Sequence, residues 1–347
     1  MALLRGGLIG CGFFASNHLK AWRDLARDPD GAEIVALCDQ NAERLAAAAA
    51  EFGISRTYAD AEAMLAAEKL DFVDIVTTAP SHRALVELAA AHGVAVICQK
   101  PMAPDIADGR AMVEACARAG VAMMVHENFR WQAPLLAVRA VLDSGVIGRP
   151  FWGRVSFRSG YDVIAGQPYL AKGKRFIIED LGVHVLDTAR FLFGEVARLT
   201  ASTTTVNPAI AGEDVATMLL VHRDGVTSVV DCSYSSRRAR ELFPEVLVDI
   251  EGSEGSLQLD AGYALTVRSP AGIEHRDVSP KLLTWAQEPW HAVQESVFNI
   301  QRHFIQCLRD GTAPATAGSD NLKTFALVEA AYGSAATGET VDPARYA

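Results

Sequence analysis

The chain has 347 residues, half of them apolar, 21% charged, and a formal net charge of −10 at pH 7. Domains run to roughly 150 residues, so this length points to two. The acidic balance, with no long run of one sign, disfavours a nucleic-acid partner, because phosphate backbones are bound by clustered Lys and Arg.

The N-terminus, Met1-Ala2-Leu3-Leu4-Arg5-Gly6-Gly7, runs straight into a predicted strand. It has no basic region followed by a signal-type apolar stretch, and no apolar run approaches membrane-spanning length, so a cytoplasmic protein with no membrane partner is expected. The first third alternates short apolar runs with helical segments. Strands are predicted at 3–9, 33–38, 72–77, 94–98 and 121–125, and helices at 16–27, 41–52, 60–68, 82–92 and 106–119. Short, almost wholly apolar strands separated by helices imply a parallel sheet covered on both faces. The expected fold class is α/β, with a doubly wound Rossmann domain over residues 1–125.

Around Val125 the rhythm changes. A crossover helix is predicted at 134–144, ending at Gly145 and Gly148-Arg149-Pro150, and strands dominate from Phe151 onward. The segment 151–159 alternates apolar and polar residues, and 216–222 and 226–234 flank Arg223-Asp224-Gly225, a hairpin signal. Further strands at 245–251, 256–260 and 264–267 follow, with glycine turns between them. The pattern predicts a C-terminal α+β domain over 126–347 with a large mixed or antiparallel, open-faced sheet. A sheet face left bare is a candidate interface, so a homo-oligomer through that face is expected.

The cysteines (Cys11, Cys38, Cys98, Cys116, Cys232 and Cys307) form no C-x-x-C pair, and three lie in or at the end of apolar runs. Free buried thiols and no metal site are expected.

Gly10-Cys11-Gly12-Phe13-Phe14-Ala15 fits G-x-G-x-x-A between a strand and a helix. Gly10 permits the tight turn, Gly12 lets a pyrophosphate approach the backbone, and Ala15 keeps the helix close to the sheet. Phe13 and Phe14 lie in the same loop. Asp39, at the end of the second strand, can accept hydrogen bonds from both adenosine ribose hydroxyls, which favours NAD over NADP. Its other reading is a cap for the next helix, where Asn41 would serve equally; Arg44 is the residue that could admit NADP. Thr78, Pro80 and His82, after the fourth strand, and Gln99-Lys100, after the fifth, should reach the crevice at the strand ends. A Lys there could polarise a substrate hydroxyl, or simply be exposed. Asp180 and His184, four apart on a predicted helix, share a face; they are an acid–His pair, or a cap and a surface His. Asn128 and Arg130, past the last Rossmann strand, are candidates for the nicotinamide end and the substrate. Tyr161 is a candidate for the substrate, in a polar loop that also carries Asp162, Gln167, Tyr169, Lys172 and Arg175.

Taken together these residues resemble the Gfo/Idh/MocA oxidoreductases over essentially the whole chain. The family's glycine motif falls on Gly10, Gly12 and Ala15, its Thr/Pro-rich segment on Thr78-Ala79-Pro80-Ser81-His82, its Glu-Lys-Pro motif on Gln99-Lys100-Pro101, and its Asp-x-Gly-x-His motif on Asp180 to His184. The resemblance implies that Lys100, Asp180 and His184 are catalytic and contact the substrate. Gln99 departs from the usual Glu and removes a negative charge beside Lys100. Within the family, 98–101 and 125–132 look like sugar dehydrogenases that act on a branched aldopentose. That implies NAD-dependent oxidation of a small polyhydroxylated substrate, an aldose, to its lactone. An inositol or polyol dehydrogenase is the alternative, as is a redox-neutral glycosidase that retains NAD.

Overall fold

The computed structural model describes residues 2–347, which form two compact units. One comprises the chain through Glu127 together with Val297–Leu322, and the other Asn128–Ser296 with Lys323–Ala347.

The first unit is built in chain order from β1 (Leu4–Ile9), α1 (Ala15–Leu25), β2 (Ala32–Cys38), α2 (Ala42–Phe52), β3 (Thr57–Tyr58), α3 (Ala61–Ala67), β4 (Phe72–Ile75), α4 (Ala79–Ala91), β5 (Ala95–Gln99), α5 (Ile106–Ala119) and β6 (Met123–His126). Its six strands lie in the order β3-β2-β1-β4-β5-β6, all parallel. β4, β5 and β6 are buried at every residue and, apart from Asp74, Gln99 and His126, are apolar, which is why they stand out in the sequence as short apolar runs. The strand order reverses between β1 and β4, and ligands of such sheets bind outside the strand ends at that switch point. Local signals punctuate the helices. Asn41 caps α2 and Asp105 caps α5, while Gly53 and Gly120 end them at positive φ.

The fourth strand stops at Ile75 rather than 77, and its following helix starts at Ala79 rather than 82. Pro80 sits in the first turn of that helix, where its missing N–H costs no hydrogen bond.

The second unit contains α6 (Ala133–Asp143), β7 (Pro150–Arg158), the short α7 (Val163–Gly166), α8 (Val183–Phe193), β8 (Val196–Thr204), β9 (Val215–His222), β10 (Thr227–Ser233), β11 (Leu247–Gly252), β12 (Gly255–Asp260), β13 (Ala264–Ser269) and β14 (Gly272–Asp277). Its eight strands run β14-β13-β12-β11-β7-β10-β9-β8, with β7 and β10 parallel and every other pair antiparallel. The β9–β10 hairpin turns at Gly225, whose φ of 91° suits glycine. Along β9, Ala216, Met218, Leu220 and His222 are buried while Leu219, between them, is 47% exposed. One sheet face is therefore covered and the other open.

Two further helices, α9 (His291–Asp310) and α10 (Gly318–Thr337), each begin in one unit and end in the other. The division at 125/126 is therefore corrected: residues 297–322 fold with the first unit. The reason is an edge pairing, in which Val125 N–H donates to Thr316 O at 2.9 Å and Met124 bridges Ala317 beyond β6. Arg309 also donates to the carbonyls of Asp30 and Gly31. The six cysteines are free and buried. Among the described residues no helix is long and apolar enough to cross a membrane.

Candidate functional site

The glycine loop joins β1 to α1 at the switch point. Gly10 has φ 99°, and a Cβ there would stand 2.8 Å from Thr77 Cγ2 and 2.9 Å from Thr77 N. The turn therefore requires glycine on two counts. Gly12 differs, because a Cβ on it would meet nothing within 4 Å. Its backbone faces open space before the first turn of α1, the arrangement that lets a pyrophosphate reach the helix N–H groups. Phe13 is 68% exposed, Phe14 packs on the core, and Ala15 is buried against the sheet. Burial and the Asp39 charge push the Cys11 thiol up to about 12, so it stays protonated inside the loop.

Asp39 ties this loop to the end of β2. Cys11 N–H donates to its Oδ2 at 2.6 Å and Asn41 N–H to its Oδ1 at 2.7 Å. The helix cap is Asn41, whose Oδ1 accepts from Arg44 N at 2.9 Å. Asp39 thus does not cap α2, and each of its oxygens keeps a lone pair for a further donor such as a ribose hydroxyl. Arg44 is exposed in the first turn of α2.

Beyond β4 and β5, the expected cofactor contacts separate. Thr78 and Pro80 are exposed at the start of α4. His82 is fully buried, its Nδ1 3.1 Å from Met102 O and its Nε2 3.1 Å from Thr77 O, and burial lowers its pKa. A neutral ring has one N–H, so His82 donates to one of these two carbonyls and braces the Thr77 loop against the turn after Lys100. Gln99 is buried, with its amide between Lys100 N–H and His18; Lys100 follows it, half-buried, at a cis bond to Pro101.

In the second unit, Asp180 lies in a single π-helical turn, Ile178–Gly182, that runs directly into α8. Single π turns inside helices recur at functional sites. Gly182 occupies the N-cap position of α8, so Asp180 is not its cap. Leu181, Val185 and Leu192 are buried. His184 is 4% exposed and stacks on Phe129, centroids 3.9 Å apart and planes 5° apart. Tyr234 O–H donates to Asp180 Oδ2 at 3.1 Å, and burial together with the Asp180 charge holds that hydroxyl well above its ordinary pKa. Tyr234 is then a donor at any working pH. Neither Phe129 nor Tyr234 was singled out from sequence, although Tyr234 ends a predicted strand.

Tyr234 also lines a cleft of about 140 Å³ with Tyr161, Asp162, Asn207, Asp214 and Ser235. Tyr161 stacks on Phe243 at 4.2 Å, and Trp290 meets Phe243 edge-on at 4.7 Å. The expected polar loop is ordered by α7 and a 3₁₀ turn, Pro168–Lys172, with Asp162 Oδ1 accepting from Ile164 and Ala165 N–H. Arg175 is held by Glu179 and Glu329 over the Tyr332 ring.

Two more candidates make buried contacts within the protein. Arg130 donates from Nε and Nη2 to Asp187, a fully buried carboxylate, so this edge of its guanidinium faces the core. Asn128, also buried, donates from Nδ2 to Ser296 Oγ at 2.6 Å.

Comparison with known proteins agrees with this geometry. Residues 4–127 match the oxidoreductase family with an NAD-binding Rossmann fold, and 135–258 match the GFO/IDH/MocA C-terminal domain. The chain belongs to the Gfo/Idh/MocA oxidoreductase family. Among its relatives, the D-apiose dehydrogenase of Paraburkholderia graminis is 64% identical over 97% of this chain and 89% of its own length. That of Rhizobium rhizogenes is 58% identical over 99% and 98%. An Agrobacterium radiobacter oxidoreductase, solved in complex with NAD+, L-tartaric acid and magnesium, superposes with a TM-score of 0.96 at 58% identity, covering 99% of both chains. This Gfo/Idh/MocA protein is thus an NAD-dependent oxidoreductase built on an α/β fold. Among its described residues no group of three or more His, Cys, Asp or Glu could hold a metal ion.

Proposed function

We propose that the chain oxidises D-apiose to its lactone, with Lys100, Asp180 and His184 as its catalytic residues. The observation that carries this reading is the Tyr234–Asp180 hydrogen bond beside the cleft, one turn before the stacked His184. The 64% and 58% identical relatives are both D-apiose dehydrogenases, which directs the reading to that sugar.

The open backbone at Gly12, the free lone pairs of Asp39 and the first turn of α1 fit a dinucleotide diphosphate and its adenosine ribose. Phe13, Phe14, Thr78 and Pro80 border that position. NAD, when bound, supplies the hydride acceptor. His184 takes the proton of the sugar hydroxyl, and Phe129 holds the imidazole in one plane while it does so. Asp180, its charge steadied by Tyr234, orients and stabilises the protonated ring. Lys100 stabilises the developing alkoxide. Tyr161, backed by Phe243, offers an aromatic face to the apolar side of the sugar ring.

We place the enzyme in the cytoplasm, with no nucleic-acid partner, as a homo-oligomer through the open sheet face that carries Leu219. The test is NADH absorbance on mixing the protein with NAD and a panel of D-apiose, other aldoses and inositols, with NADP in parallel. NADH with D-apiose supports the assignment. Turnover with an inositol alone would reassign the substrate, and silence with NAD still bound would favour the redox-neutral reading.

A further inference from the structure

Lys100 directly follows β5, and the residue before it carries the amide that fixes its backbone. Lys100 N–H donates to Gln99 Oε1 at 2.7 Å. An N–H can donate only to the oxygen of that amide, so this single bond decides which way the amide lies. Its Nε2 is then the atom 3.1 Å from His18 Nε2. Because an amide nitrogen donates, His18 Nε2 accepts, and the proton of a neutral ring sits on Nδ1. Nδ1 lies 2.7 Å from Asp74 Oδ2, a carboxylate oxygen that accepts. Three bonds, each judged by donor and acceptor chemistry, agree on one tautomer.

The surroundings leave this chain little freedom. His18 and Asp74 are 0% exposed and Gln99 9%. Trp22 Nε1–H donates to the same Asp74 oxygen at 2.7 Å. The His18 ring lies against His126 at 4.2 Å, tilted by 31°, and meets the edge of Phe14 at 5.5 Å. Each of the three side chains is held by at least one of these buried bonds, which limits its rotation.

We propose that His18 and Asp74 are positioning residues for Lys100, acting through Gln99; the proposal rests on the reading of Lys100 as catalytic. Asp74 holds the His18 tautomer, His18 holds the Gln99 amide, and the Gln99 oxygen holds the backbone from which the Lys100 side chain departs. The same chain gives a reason for Gln where the family motif has Glu. A carboxylate at 99 would place an oxygen against His18 Nε2, and only a doubly protonated ring lying between two carboxylates would satisfy it. Gln99 keeps the ring neutral.

Two measurements on the full-length protein test this. The first is the ¹⁵N spectrum of histidine-labelled protein at neutral pH, with the His18→Phe variant assigning the His18 signals. A neutral ring protonated on Nδ1 is expected, turning to imidazolium in Gln99→Glu. A wild-type ring protonated on Nε2, or charged, overturns the relay whatever Lys100 does. The second is a double-variant cycle on kcat. His18→Phe is expected to lower kcat about 10-fold with KM for NAD unchanged, and to cause no further loss in a Lys100→Met background. Equal losses in both backgrounds overturn action through Lys100. If His18→Phe does not fold, Gln99→Glu takes its place in the cycle and Asp74→Asn in the assignment. Near-normal turnover of Lys100→Met alone would sink the catalytic reading of Lys100 and leave the tautomer result standing.

Discussion

The His184 imidazole lies flat on the Phe129 ring, with centroids 3.9 Å apart and planes within 5°. A face-on stack leaves the ring's nitrogens pointing in its own plane and removes rotation about its last torsion. Phe129→Leu keeps an apolar filler but loses the flat surface. With His184 in its proposed role as base, we expect kcat to fall about 10-fold while KM for NAD stays put, since a misaimed base costs rate rather than cofactor affinity. Steady-state kinetics on the folded variant check this; an unchanged kcat would show that the stack is packing alone.

Tyr234 donates to a carboxylate, and hydrogen bonds to charged groups contribute roughly 1.5–3 kcal/mol. Tyr234→Phe removes that donor and nothing else of size. The expected result is a loss in kcat/KM for the sugar on the order of 10-fold or more, because Asp180 loses the hydrogen bond that holds its carboxyl in place, and with it a donor whose raised pKa keeps it protonated at every working pH. A pH–rate series on both proteins is the measurement.

The two loop glycines should part company. At Gly10 an added Cβ collides with Thr77 backbone at a φ of 99°, so Gly10→Ala should lower the thermal midpoint. At Gly12 the chain itself leaves open space, so Gly12→Ala should unfold at the wild-type temperature and yet bind NAD more weakly. Calorimetry with and without NAD separates the cases. A destabilised Gly12→Ala, or one with unaltered NAD affinity, contradicts the cofactor reading of that backbone.

That contrast shows how much of the site the sequence exposes. The parallel sheet was legible because strands buried on both faces are mostly apolar, as β4 to β6 are but for Asp74, Gln99 and His126. The glycine loop was legible because its spacing has a steric cause. The edge strand β14 was not, since Gly272–Asp277 is exposed at every residue and carries no alternation. The π turn at Ile178–Gly182 was not, because helical spacing alone reads Asp180 and His184 as one α-helical face. Phe129 sits in a three-residue 3₁₀ turn, too short for any period. Arg130 differs again: it is polar and looks like surface or ligand chemistry, and only tertiary structure supplies the buried carboxylate, Asp187, that it pairs with.

Acid stability should carry the mark of Glu195. Burial alone would raise its carboxyl, but Arg190 and Lys323 overcome this and bring it from 4.5 down to about 2. A carboxyl with a lower pKa in the folded state holds fewer protons there than in the unfolded chain. Its stabilisation is therefore complete above about 4.5 and is lost as pH falls towards 2. Denaturation midpoints measured across that window should fall more steeply for wild type than for Glu195→Gln. Parallel curves would mean that the pair is screened by solvent at this partly exposed side chain.

Arg130 offers the sharpest separation of structure from function. Its guanidinium and the Asp187 carboxylate are buried together, and breaking such a pair from one side typically costs about 3–5 kcal/mol. Arg130→Met should fall near the lower end, about 3 kcal/mol, because Asp187 Oδ1 still accepts from Thr324 at 2.9 Å and Arg190 Nη1 stands 3.9 Å away. Adding Asp187→Leu should recover much of the loss by removing the stranded charge. Urea titrations of the three variants measure this, and KM for sugar and NAD in the folded fraction should match wild type. A variant of normal stability with a raised KM for the sugar would instead return Arg130 to the substrate site.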